Sequence, residues 1–271
     1  MPNCDCEIID DLFCFDDLAL FMKAYFDESG KHDAAIVISM VGILMSANTC
    51  KELQRRWLRE AARSPKIPLP FHMSDCEVGR KAFEYLSDNA TARWDMQRRM
   101  IGVLRGLDIQ AYGAAIVREE HKRIAGPLRN DPRFRDPWFL AFETGIVEMM
   151  ARSAQSGKAH NISFVFDRMD QFKPRANELY DELIRLPSVF SDRYGALSFE
   201  AKDRICALQA ADVVVYETYK HVAECTLGSQ PERWQHTLLR ECIEISGKLY
   251  DKPGLEKLAE LVAADRAGKL G

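Results

Sequence analysis

Two apolar runs of this chain have the length and composition of buried β-strands, and each leads into an aspartate. Met22–Phe26 is followed by Asp27, and Asn161–Phe166 is followed by Asp167. A carboxylate at the end of a buried strand is costly unless a cation or hydrogen bonds neutralise it. A right-handed crossover would place the second run beside the first, with both aspartates at the same edge of one sheet.

The order of the other elements is typical of an α/β protein. The apolar run Ala34–Ser46 is expected to form a hairpin with the first strand, and further strands are predicted at 109–117 and 196–199. Residues 71–77 are predicted to be extended or loop, and helices are predicted at 49–63, 79–88, 91–106, 137–155, 174–185 and 204–224. We therefore predict a mixed five-stranded sheet flanked by helices, with a helical insertion between strands two and three and a helical C-terminus over 232–265.

Length and charge suggest one large domain with extensions. The chain has 271 residues, of which 47% are hydrophobic, which is enough for a sizeable core. The net charge is −4, but residues 1–50 carry −7, so residues 51–271 carry +3. We predict an acidic N-terminal extension at 1–20, an α/β domain at 21–225, and a helical C-terminal extension at 226–271 that packs on this domain.

The sequence also bears on where the protein is found. The acidic N-terminus lacks the basic start of a signal peptide, and no apolar run approaches the ~20 residues of a membrane helix. The eight cysteines include no Cys-x-x-Cys pair and no compact disulfide framework, which favours reduced thiols. We therefore expect a cytoplasmic protein that does not contact a membrane.

Two further aspartates lie at informative positions. Asp75 follows a proline-rich break, and Asp212 lies within an apolar helical stretch. An unpaired charge in such a helix would destabilise the fold by about 3–5 kcal/mol. Asp212 is therefore expected either in a metal site or in a buried ion pair, with Lys202 or Arg204 as its partner. Gln209 is three residues from Asp212, so the two side chains are expected on one helical face.

The chain contains four short motifs with an aspartate: Asp27-Glu28-Ser29-Gly30, Phe71-His72 with Asp75, Phe166-Asp167, and Leu208-Gln209 with Asp212. Taken jointly, these motifs resemble those of the bacterial domain-of-unknown-function family 3800. The resemblance covers roughly residues 22–225. That family is similar to ribonuclease-H-like nucleases, so the resemblance implies a ribonuclease-H-like fold. The extension at 1–20 departs from the family pattern, as does Ala201, because a serine often precedes the lysine there.

The resemblance also implies a site. Its metal ligands would be the four aspartates, and its catalytic residues would be Asp27, Glu28, His72, Asp75, Asp167 and Asp212. Carboxylate oxygens of this kind suit Mg²⁺ or Mn²⁺. Two such ions, ~3.5–4 Å apart, would activate a water and stabilise the departing oxygen, and we expect Asp27 to bridge them.

Several residues are candidates for contact with substrate or with a transferred proton. His72 could move a proton near neutral pH, or it could be a hydrogen-bonded loop histidine. Lys202 could steady a scissile phosphate, or it could form a salt bridge with one of the aspartates. Gln209 is assigned to substrate binding with Lys202.

A basic helix supplies the second candidate surface. Arg55, Arg56, Arg59 and Arg63 follow at spacings of one, three and four residues. Arg55 and Arg59 share one side of the helix and could follow the phosphates of a polynucleotide. The alternative is an ordinary solvated helix face.

These features favour a divalent-metal-dependent nuclease that acts on a nucleic-acid backbone. Two alternatives stay open: a hydrolase of small phosphate compounds that uses the same ions, and a non-catalytic binding or assembly module with a structural acidic cluster. No Gly-x-Gly-x-x-Gly loop or Walker lysine is present to cradle a small phosphate, which favours the nuclease. The helical C-terminus would suit the seam of a homodimer.

Overall fold

The structure, a computed structural model, describes residues 21–32, 34–124, 132–155, 161–186, 190, 192–228 and 233–266. The predicted acidic extension at 1–20 lies outside these residues. Within them, the chain forms a mixed sheet flanked by helices, so the predicted α/β class is confirmed.

The strands of the sheet are β1 Phe21–Ser29, β2 Val37–Ser46, β3 Gln110–Val117, β4 Asn161–Asp167, β5 Tyr194–Glu200 and β6 Glu244–Tyr250. Their spatial order is β5-β4-β1-β2-β3-β6. The pairs β1–β2 and β2–β3 are antiparallel, whereas β1–β4, β4–β5 and β3–β6 are parallel. The predicted hairpin of the first two strands is therefore confirmed.

The α-helices in the described ranges are α1 Ala47–Ala62, α2 Met73–Val78, α3 Ala90–Gly102, α4 Arg118–Ile124, α5 Pro132–Arg135, α6 Pro137–Gln155, α7 Lys173–Arg185, α8 Cys206–Thr226, α9 Trp234–Cys242 and α10 Lys252–Arg266. Short 3₁₀ helices cover Lys81–Leu86 and Lys202–Arg204. Helices α1, α3, α8 and α9 pack on one face of the sheet, and α6 and α7 pack on the other.

The placement of β4 beside β1 sets the geometry at the carboxyl ends of these two strands. The chain leaves β3, passes through α6 and returns as β4, parallel to β1. Phe26 pairs in register with Phe166, so Asp27 and Asp167 lie side by side at the same ends of their strands. The predicted adjacency of these two strand ends is confirmed.

Side chains of β1 alternate between two cores. Phe26 packs on the α6 face, where its ring stacks on Phe166 with centroids 4.7 Å apart. Tyr25 packs on the opposite face, which α1 and α8 cover. Because successive side chains of a strand point to opposite faces, Asp27 lies on the same face as Tyr25. The carboxylate of Asp27 is thereby directed toward α8.

The prediction of a five-stranded sheet is wrong, whereas the largely helical C-terminus is confirmed by α9 and α10, between which one strand was missed. Residues Glu244–Tyr250 form β6, which extends the sheet beyond β3. Gly247 lies opposite Gly113, and the absence of both side chains lets the two backbones approach closely. The 71–77 segment is also not extended, because most of it forms α2.

One largely buried arginine fixes α9 to the rest of the molecule. Arg233, next to the start of α9, pairs with Glu77 of α2 at 2.7 Å and with Glu217 of α8 at 3.0 Å. Burial lowers the pKa of Arg233, but the two carboxylates outweigh burial and hold that pKa above its ordinary value. Breaking such a buried pair would leave an uncompensated charge, so α9 and α2 are firmly joined.

Among the described helices, none combines the length and the apolar character that crossing a bilayer requires. The described cysteines are free thiols, namely Cys50, Cys76, Cys206, Cys225 and Cys242.

We predict that Gly42→Ala lowers the free energy of unfolding by about 1–3 kcal/mol. A Cβ atom at Gly42 would collide with the ring of Phe26, and the stacked ring of Phe166 prevents that ring from moving aside. Urea unfolding followed by circular dichroism measures the change. Gly102→Ala is the control, because nothing lies within 4 Å of a Cβ there and alanine favours the helix. Equal stability of the Gly42 variant and the unaltered protein would contradict this packing.

Candidate functional site

Three of the four predicted aspartates converge on a single ammonium group. The Nζ atom of Lys202 contacts Oδ2 of Asp27, and it lies 2.9 Å from Oδ1 of Asp212 and 3.2 Å from Oδ2 of Asp167. We call Asp27, Asp167 and Asp212 the acidic cluster. Its most exposed member is Asp167, whose side chain is 21% exposed, while Asp27 and Lys202 are buried. The cluster is therefore largely shielded from water.

Four elements bring these side chains together. Asp27 and Asp167 lie at the ends of the neighbouring parallel strands β1 and β4. Helix α8 packs across β1 and β2 and carries Asp212 in its second turn. After β5, the chain turns through the 3₁₀ helix that begins at Lys202. The site therefore forms only when the sheet order and the packing of α8 are both in place.

Each carboxylate of the cluster is also held by a backbone N–H group. The pairs are Glu28 N with Oδ1 of Asp27 at 2.9 Å, Arg168 N with Oδ1 of Asp167 at 3.0 Å, and Met73 N with Oδ2 of Asp212 at 2.8 Å. Hydrogen bonds of this kind favour the ionised carboxylate and fix its orientation. One oxygen of each aspartate is thus held by the backbone, and the other faces Lys202.

The charges of the cluster are only partly balanced. Burial raises the pKa of Asp27 well above its usual range, and attraction to Lys202 does not cancel this rise. Burial also acts to raise the pKa of Asp212, but Lys202, His72 and the N–H group of Met73 together hold it well below its usual range. Lys202 and Asp212 therefore form a persistent ion pair, whereas Asp27 is a carboxylate whose charge is incompletely neutralised.

Glu28 and His72, the other predicted catalytic residues, border the cluster. Glu28 is buried and pairs with Lys31 at 2.9 Å. Burial raises the pKa of Glu28, although Lys31 and Lys202 act in the opposite direction. The Nδ1 atom of His72 lies 3.6 Å from Oδ1 of Asp212, and the imidazole is 34% exposed. His72 therefore links the cluster to solvent.

Asp75, the fourth predicted metal ligand, is not brought to Lys202. It lies in the first turn of α2, and its carboxylate pairs with Lys81 at 2.9 Å and Arg80 at 3.8 Å. Gly79 ends α2 in a left-handed conformation, which turns the chain so that these two cations meet Asp75. Asp75 is therefore correctly placed in a segment beside the site, but its ion pairs lie outside the acidic cluster.

Gln209 holds the site together instead of facing an opening. It is buried, and its Oε1 atom accepts hydrogen bonds from Trp57 Nε1 at 3.1 Å and from Phe71 N at 2.9 Å. Its Nε2 atom donates to the carbonyl of Lys202 at 3.1 Å. The predicted shared face of Gln209 and Asp212 is confirmed, since both accept from the 71–73 backbone. With these three internal hydrogen bonds, Gln209 acts as a positioning residue, and its predicted contact with substrate stays a prediction.

The two arginines predicted to bind substrate lie on α1, apart from the acidic cluster. Arg55 pairs with Glu52 at 2.7 Å. Arg59 is exposed and has no hydrogen bond or ion pair with any residue that the structure describes. Both line a groove between α1 and α3. The prediction of one basic side of α1 is therefore matched by a recess in the surface.

Two contributors to the site were missed by sequence reasoning. The N–H group of Met73 fixes Asp212, and the indole of Trp57 donates to Gln209. A backbone donor leaves no mark in the sequence, because every residue except proline carries one. The indole of Trp57 could have been suspected, since buried tryptophans usually find a partner for their N–H group.

The described residues contain no group of three His, Cys, Asp or Glu side chains that is spaced to hold a metal ion. In the acidic cluster, the ammonium of Lys202 stands at the point where the three carboxylates meet. Comparison with family models, with curated proteins and with solved structures gives no match. The arrangement of the acidic cluster is therefore the main indication of function.

We predict that Gln209→Ala lowers the free energy of unfolding by about 1–3 kcal/mol. The substitution leaves the indole N–H group of Trp57 and the N–H group of Phe71 buried without their acceptor. Chemical unfolding measures the loss, and Gln171→Ala, at an exposed turn, is the control. A stability equal to that of the control would show that the amide of Gln209 does not hold the site together.

Proposed function

We propose that this protein is a divalent-metal-dependent phosphodiesterase that cleaves a nucleic-acid backbone, with Mg²⁺ or Mn²⁺ bound at the acidic cluster. The observation that carries the proposal is the convergence of three aspartates from β1, β4 and α8 on one point. Three carboxylates from separate elements are a costly arrangement unless a cation is required there. Hard divalent ions prefer such oxygen ligands.

The charge of the acidic cluster bears on whether a divalent cation would fit there. With all three carboxylates ionised, the acidic cluster and Lys202 together would have three negative charges and one positive charge, a net charge of −2 in a largely buried site. Burial is the first cause of the raised pKa of Asp27, and the neighbouring carboxylates add to the rise. A divalent cation would balance this charge, and Asp27, Asp167 and Asp212 would supply oxygens to it only after the ammonium of Lys202 had moved from the point between them. Asp75 would join only if its pairs with Arg80 and Lys81 were broken.

The strand order also supports a ribonuclease-H-like fold, which the motifs of the family 3800 imply. The strands β5-β4-β1-β2-β3 include one antiparallel meander, β1 to β3, and two parallel strands added beside β1. The two strand-end aspartates lie at the centre of this arrangement. The sixth strand is an addition at the far edge, next to β3.

The chain's own residues suggest distinct roles in such a reaction. Bound divalent ions would supply the activation of a water and the stabilisation of the departing oxygen. The backbone N–H groups hold the carboxylates of the cluster in fixed orientations. His72, beside Asp212 and open to solvent, would accept or deliver a proton. Lys202, in contact with Asp212, would supply positive charge to a bound phosphate.

One observation favours the non-catalytic alternative. Lys202 contacts all three carboxylates, as expected of a structural ion-pair cluster in a binding or assembly module. Binding to nucleic acid and homodimer formation also stay predictions. The following two experiments separate a metal site from a structural cluster.

We predict that Asp27→Asn abolishes Mg²⁺- or Mn²⁺-dependent cleavage of labelled oligonucleotides, with a loss of at least about 100-fold. Asparagine keeps the shape but removes the charge that a cation would need. Because Asp27 is the incompletely neutralised carboxylate, the variant should unfold at the same temperature as the unaltered protein or slightly higher. Asp170→Asn, at an exposed position, is the control. Unchanged cleavage by the Asp27 variant would exclude the proposed site.

We predict that Lys202→Met destabilises the protein by about 3–5 kcal/mol in EDTA, because three carboxylates lose their counter-charge. Millimolar Mn²⁺ should restore much of this loss by binding the folded state. Thermal unfolding in EDTA and in Mn²⁺ measures both effects. Lys248→Met, which removes a half-exposed lysine paired with Glu148, is the control. A loss that Mn²⁺ does not reverse would identify the cluster as a structural ion-pair site.

A further inference from the structure

A second concentration of charge lies away from the acidic cluster, in the groove between α1 and α3. The groove has a volume of about 270 Å³. Its charged lining consists of four guanidinium groups and two carboxylates, from Arg55, Arg56, Arg59, Arg99, Glu52 and Glu60. The net charge of this lining is +2, in a protein whose overall charge is −4. Positive charge is therefore concentrated in this recess.

Hydrogen bonds within the protein fix the walls of the groove. Arg99 is 13% exposed and donates to Oε1 of Glu60 at 2.7 Å and to the carbonyl of Pro65 at 2.9 Å. Arg56 donates to Glu52 and to the carbonyl of Arg105 at 3.0 Å. These bonds tie α1 to α3 and to the turn after α3. The groove is therefore formed before any ligand arrives.

Among the arginines of the groove, Arg59 differs in that its guanidinium has no hydrogen bond or ion pair with any described residue. Arg55 shares the carboxylate of Glu52 with Arg56, and these bonds lower the pKa of Glu52 to about 2. Arg59 lies one helical turn beyond Arg55, is exposed, and has no partner among the residues that the structure describes. The surplus charge of the groove is thus placed on a guanidinium free to meet an anion. Guanidinium groups match the geometry of phosphate oxygens.

The groove and the acidic cluster lie on the same face of the sheet. Helices α1 and α8 both pack on that face. Trp57, two residues before Arg59 on α1, donates to Gln209, and Gln209 donates to the carbonyl of Lys202. Rigid contacts therefore fix the position of the groove relative to the site of the proposed reaction.

We propose that the groove between α1 and α3 binds a backbone phosphate of the nucleic-acid strand whose scissile bond lies at the acidic cluster. The identity of this ligand rests on the proposed function. A polymer with several phosphates can occupy both places at once, whereas a compound with a single phosphate can occupy only one of them. The groove thereby selects polynucleotides over small phosphate compounds.

The test compares Arg59→Gln with Arg123→Gln, which removes another exposed arginine, paired with Glu120, from α4. Binding of fluorescein-labelled 20-nucleotide DNA and RNA strands is measured by anisotropy in EDTA over a range of salt concentrations. Arg59→Gln should bind at least about threefold more weakly, and its salt slope should fall by ~0.7–0.9 because one fewer phosphate is neutralised. Arg123→Gln should bind like the unaltered protein.

A second measurement uses bis(p-nitrophenyl) phosphate, a small diester, with Mn²⁺. Arg59→Gln should hydrolyse this diester at the unaltered rate while it cleaves oligonucleotides more slowly. Equal oligonucleotide binding by Arg59→Gln and the unaltered protein overturns the inference, even where metal-dependent cleavage is observed. An equal loss with the small diester also overturns it. The absence of any metal-dependent cleavage, with oligonucleotide binding that still depends on Arg59, overturns the proposed function alone.

Discussion

The ammonium group of Lys202 is the contact on which the geometry of the site depends. It brings three carboxylates within 3.2 Å of one atom, in a place where each alone would be costly to bury. Gln209 fixes the backbone of Lys202, because its amide donates to the carbonyl of Lys202 and accepts from Trp57 of α1 and from the N–H group of Phe71. The cluster is therefore compact, with three carboxylates gathered around one ammonium group.

Carboxylates that are gathered at one point repel one another, so other groups must fix their orientation and balance part of their charge. Here the backbone N–H groups set the orientation of the carboxylates, and a single flexible lysine supplies part of the counter-charge. Lysine is suited to this role because its ammonium is a compact charge on a long stem with several rotatable bonds.

Much of the fold could be predicted from local pattern. The apolar runs that form β1, β2 and β4 are long and rich in β-branched and aromatic residues, and the crossover rule placed Asp27 beside Asp167. Strand β6 was missed because Glu244–Tyr250 alternates weakly, contains Gly247, and gains stability only by pairing with β3. Helix α2 was missed because a six-residue helix depends on its tertiary contacts and not on its own propensity.

The site was predicted less completely, for a related reason. Sequence motifs locate a residue along the chain, but they do not give the direction of its side chain. Asp75 was grouped with the other aspartates, yet the turn at Gly79 supplies it with cations of its own. Gln209 was on the expected helical face, but whether its amide met substrate or the protein interior depended on Trp57, 152 positions away in the chain.

The ion pairs of Arg233 connect the last part of the chain to the acidic cluster at the ends of β1 and β4. Arg233 grips Glu77, which lies in α2 only four residues after Met73, and the N–H group of Met73 orients Asp212. The segment that begins at Arg233 therefore helps to hold the carboxylate of Asp212 in position through α2, without contacting it directly. An α/β domain that ends before Arg233 would keep all three aspartates of the acidic cluster, but α2 would lose an ion pair and the orientation of Asp212 would be less firmly fixed.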